Sequence, residues 1–159
     1  MLTFLALITL IASAHFAGWL ICRYSREELK VGRDYFLIAL RALFCVVVAL
    51  FCYSVGLSWW LAAPLIALTL ALMLWKKSSE MFERRPAYAQ VSLGVMAGAI
   101  LVGENAFPLA ASLFVAALLQ GSLDSAVAFQ HKKSPLKPVS LHATVFAFIA
   151  MLFGFVLLF

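Results

Sequence analysis

Gln120 and Asp124 stand four residues apart in the second half of an otherwise apolar run from Ala106 to Phe129. Residues at that spacing share one face of a helix. A carboxylate inside such a run is costly to bury, and ionisable groups at membrane depth mark ion, proton or substrate pathways. Three further polar side chains interrupt apolar stretches: His15, Arg41 and His142. An imidazole in that setting either bonds a neighbouring helix as a neutral group or serves as a ligand or proton relay. Arg41 either snorkels to the head groups or pairs with Asp124, which lies at a similar depth on a helix of opposite direction. If the helices bring these five together, they form a polar pocket open to the cytoplasm; the competing reading is a structural network that fixes helix packing.

Glu104 stands apart as a candidate at an outer mouth, where a carboxylate would draw cations. Its structural reading is a charge favoured by the N-terminus of the helix that begins at Ala106, next to Asn105 as cap and with Pro108 in the first turn.

Other chemistries find no support. There is no H-E-x-x-H or H-x-x-E-H, no Gly-rich phosphate loop and no paired acidic residues at metal-binding spacing. Cys22, Cys45 and Cys52 form no C-x-x-C, and Cys45 and Cys52 lie roughly 10 Å apart along one helix, too far for a disulfide. They read as small packing residues. His15 and His142 sit about a turn apart in depth, which disfavours a bis-histidine haem. No catalytic residue, metal or cofactor is therefore expected.

The elements that would position these residues follow from composition. Of 159 residues, 65% are hydrophobic and 12% charged, with a mean hydropathy of +1.05. That is an integral membrane protein, and one all-α domain covers 1–159. Six transmembrane helices are expected at 2–22, 36–55, 59–75, 88–103, 106–129 and 141–159. They form three hairpin-like pairs, with tight turns at Gly56-Leu57-Ser58 and Glu104-Asn105. Barrel strands are excluded because the runs are long and lack polar/apolar alternation. A short surface helix is expected after Ser25-Arg26-Glu27-Glu28, a capping-box pattern. Ala12-Ser13-Ala14 resembles a signal-peptidase site, but the apolar run continues past it and no basic region precedes it, so the segment reads as a retained span.

All 12 Lys and Arg residues fall in or beside the first, third and fifth connections. By the positive-inside rule that side is cytoplasmic, which puts both termini and the two tight turns outside. The net charge of +5 is thus a topology signal with some attraction to anionic lipid, not a nucleic-acid patch. Gly94 and Gly98 form a GxxxG pair, and Ala117 with Gly121 a second small pair; both let a neighbouring backbone approach, within the bundle or between protomers. Repeated patterns in the connections, such as Lys76-Lys77-Ser78 and Lys132-Lys133-Ser134, raise the idea of divergent parallel repeats.

The function expected is a small multi-pass transporter or channel in the plasma membrane of a prokaryote, handling an ion or small molecule through the inner-leaflet cluster. Its partners would be the lipid bilayer and a second copy or a larger membrane complex. The alternatives are a non-catalytic accessory or assembly subunit and, last, an intramembrane enzyme on a lipid.

Overall fold

The computed structural model describes residues 2–75, 86–100, 106–130 and 134–158. The described residues form six helices and no strand: α1 Leu2–Tyr24, α2 Arg26–Ser54, α3 Trp59–Leu74, α4 Pro86–Ile100, α5 Ala106–Gln130 and α6 Leu136–Leu158. Four of them, α1, α2, α5 and α6, are long and apolar enough to cross a membrane. At about 1.5 Å per residue, the 16 residues of α3 and the 15 described residues of α4 reach less far than ~30 Å of hydrocarbon requires.

Apart from α2 and α3, which the Gly56 turn joins, the helices that pack most are not neighbours in the chain. α1 lies along α5 and α4 along α6, α1 also meets α6, and α2 covers α5 while touching α1 at few points. α3 packs on α2 and buries one residue fully, Met73. The expected hairpin pairing therefore describes chain connectivity, and a four-helix core of α1, α4, α5 and α6 describes the packing. Small residues decide which helices meet, because lipid supplies no hydrophobic drive between apolar surfaces.

Two crossings show this. A Cβ on Gly18 would stand 2.7 Å from the Ser122 backbone nitrogen, and one on Gly121 2.8 Å from the His15 Cα, so α1 and α5 touch backbone to backbone. A Cβ on Gly98 would meet the Ala150 carbonyl at 2.6 Å, and one on Gly94 the Phe146 carbonyl at 3.0 Å, so the GxxxG face is spent on α6 inside the chain. Gly154 in turn receives the Phe4 ring. The order of contacts sets direction: Phe4 meets Gly154 while His15 meets Phe146, making α1 and α6 antiparallel.

One expectation about the connections changes. The short surface helix after Ser25 is instead continuous with the second span, giving one helix of 29 residues from Arg26, and the Ser25 side chain makes no cap bond. No helix breaker separates the two segments, since Gly32 alone costs only about 1 kcal/mol in a helix interior. The tight turn after α2 is a Schellman ending: Leu57 N–H bonds the Cys52 carbonyl at 3.0 Å, Gly56 N–H bonds Tyr53 at 3.1 Å, and Gly56 has φ 68°. The third connection, with its candidate repeat, and the Glu104-Asn105 turn lie outside the described residues.

Candidate functional site: a buried polar core

Each helix of the core contributes polar side chains at one level. α1 brings His15, fully buried, one turn before the glycine that lets α5 approach. α5 brings Gln120, 1% exposed, and Asp124, 7% exposed. α6 brings His142, 5% exposed, less than two turns after its start at Leu136.

The carboxylate of Asp124 is held from both sides. Gln120 Nε2–H donates to Oδ1 at 2.8 Å, and His142 Nδ1–H donates to Oδ2 at 2.6 Å. The second contact is an ion pair whenever His142 is protonated. A protonated imidazole balances the carboxylate charge, while a neutral one leaves that charge held only by the two N–H donors.

His15 bonds elsewhere. Its Nε2–H donates to Gln90 Oε1 on α4 at 3.1 Å, and its ring lies 6.1 Å from the Phe146 ring. Gln90 is fully buried and is the residue that sequence spacing left out. Gln120 stands out through Asp124 four residues on; Gln90 has no such companion, and the only signal for it is an amide within an apolar run. His15 Nδ1 and Gln90 Nε2 are both buried without a hydrogen-bond partner. α1, which carries His15, packs against both α5 and α6, which carry Asp124 and His142, so the two bonded groups belong to one core.

Arg41 is not the partner of Asp124: among the described residues the ion pair of Asp124 is with His142. Arg41 is partly buried on α2, and its Nε has no partner. Of the two readings offered for Arg41, pairing with Asp124 is not found; the His142 imidazole of α6 takes that place against the carboxylate. Glu104, the outer-mouth candidate, lies outside the described residues. Ala117 and Gly121 are buried on α5, with Gly121 against α1. Ser122, beside them, donates to the Gly18 carbonyl at 3.1 Å and ties the crossing together.

The two ends of the core differ. Toward the end that carries Arg23 and Lys137, a cavity of about 290 Å³ is lined by Trp19, Arg23, Phe129, Pro135 and Leu136. Trp19 is one turn beyond His15, and Phe129 little more than one turn beyond Asp124. Toward the other end the helices meet through Ile11, Ala97, Leu113 and Ala150, all 0–1% exposed and part of one apolar cluster.

These features define an all-helical bundle of membrane-protein composition with a polar core at one end. No protein-family model matches the chain, and comparison with curated proteins and with solved structures returned no match. No group of three or more His, Cys, Asp and Glu residues suited to a metal occurs among the described residues.

Proposed function

We propose that this chain is a small integral membrane carrier that crosses the bilayer six times, with its termini outside, and works through the Asp124–His142 core. The single observation behind the reading is the buried carboxylate–imidazole contact of 2.6 Å at the meeting of α5 and α6. Such pairs are expensive at membrane depth, and in membrane proteins they accompany movement of ions or substrates. A carrier fits better than a channel. A cavity lies at the basic end between Trp19 and Phe129, about a turn from the polar level, and Ile11, Ala97, Leu113 and Ala150 pack tightly on the other side of it. A site reached from one side at a time is the arrangement that alternating access uses.

The accessory-subunit reading drew on small-residue faces offered to a partner protein. Gly18, Gly94, Gly98 and Gly121 are consumed by contacts within the chain, which withdraws that support. The basic connections, assigned to the cytoplasm of a prokaryotic cell, orient the cavity inward.

The test is electrical recording from proteoliposomes adsorbed on a solid support, with concentration jumps of protons, alkali cations and mixtures of small metabolites. The wild-type protein gives a transient current for its substrate, and Asp124→Asn, which keeps size and hydrogen-bonding capacity, abolishes it while eluting as folded protein. A current unaffected by Asp124→Asn refutes the site, and silence to every jump refutes the carrier.

A further inference from the structure

We infer that the ion this core handles is the proton, with Asp124–His142 and His15 as two protonatable stations on neighbouring helices. The inference rests on the carrier reading and names its ion.

The oxygen atoms of the core are already committed. Both Asp124 oxygens accept N–H donors, Gln90 Oε1 accepts from His15, and the Ser122 and Ser125 hydroxyls bond helix carbonyls. A hard metal cation asks for about six oxygen ligands. Recruiting them here means dismantling every bond in the site.

A proton asks for one lone pair at a time, and the core holds such lone pairs. Because His15 donates Nε2–H to Gln90, its lone pair sits on Nδ1, buried and unpartnered. That nitrogen is free to take a proton. His142, which donates Nδ1–H to Asp124, likewise keeps its lone pair on Nε2. The step balances simply: a proton from water adds to His142 Nε2 and makes an imidazolium paired with the Asp124 carboxylate, and its release restores neutral His142; His15 Nδ1 offers a second such lone pair on the neighbouring helix. The groups that act on His15 are Gln90 of α4, Asp124 of α5, and His142 and Phe146 of α6. Arg41 is the charge brought by α2, the further helix packed on α5.

The experiment is nitrogen NMR of the full chain labelled with ¹⁵N-histidine in nanodiscs, between about pH 5 and 9, where imidazoles change charge, with and without sodium or potassium. Signals are assigned with His15→Gln and His142→Gln. The expected result is that both rings titrate, that His142→Gln displaces the midpoint of His15, that Asp124→Asn displaces both, and that the alkali cations change nothing. Rings that hold one state across the range but shift with sodium or potassium overturn the proton and leave the carrier standing. Rings that respond to neither pH nor cation are a static packing network and overturn both.

Discussion

Asp124 takes one bond from its own helix and one from α6, so the two donors differ in consequence. Replacing His142 by Phe keeps volume but leaves the carboxylate buried at 7% exposure without its cross-helix partner. Uncompensated buried charges cost about 3–5 kcal/mol. Thermal unfolding in mild detergent should show His142→Phe strongly destabilised, and the double variant Asp124→Leu/His142→Phe largely restored, because no charge is then left unpaired. A single variant as stable as wild type would mean that water reaches the carboxylate. The His15–Gln90 bond is a neutral one between helices, and such bonds average about 0.6 kcal/mol. Gln90→Leu should therefore unfold within a few degrees of wild type, which makes it a clean probe of what the amide does for His15.

Two kinds of glycine appear in these helices, and they fail differently. Gly18 is needed for closeness: any Cβ there meets the backbone of Ser122 and Gly121, which cannot move without opening the α1–α5 crossing. Gly18→Val should abolish recovery of monodisperse protein, and Gly98→Val should do the same through α6. Gly56 is needed for its φ of 68°, with open space around its missing Cβ. Gly56→Ala places a side chain in the left-handed region at a cost of about 1–2 kcal/mol. That variant should fold, with a lowered unfolding temperature. Equal tolerance of alanine and valine at 18 and 56 would show that the crossing is looser than the contacts described here.

The molecule as a whole is polarised. Arg23 and Lys137 stand at one end of the core with the cavity, and Ile11, Ala97, Leu113 and Ala150 are buried on the other side of the polar level. Orientation is tested after Cys22, Cys45 and Cys52 are replaced by Ser. A single cysteine at Leu57 should react with a membrane-impermeant maleimide on intact cells, while one at Trp75 or Lys137 should react only after lysis. Labelling of positions 57 and 75 from the same side would show that α3 does not cross, and reversal of the pattern would invert the cavity. The 16 residues of α3 make it the decisive helix, since it reaches only about 24 Å at ~1.5 Å per residue.

Much of this protein is a local property of its chain. Apolar runs are legible one segment at a time, which is why the helical class, the approximate helix limits and the unusual status of Asp124, His15 and His142 follow from the order of residues. The start of α2 at Arg26 was less legible, because a capping pattern at Ser25 reads the same whether the helix it opens is short or runs on into a span. Which helices touch was not legible at all. Hydropathy cannot rank pairings among six greasy segments, and packing at Gly18, Gly94, Gly98 and Gly121 selects α1 with α5 and α4 with α6. That choice, made by backbone shape and not by polarity, gives Asp124 an imidazole in place of Arg41 and gives His15 the amide of Gln90.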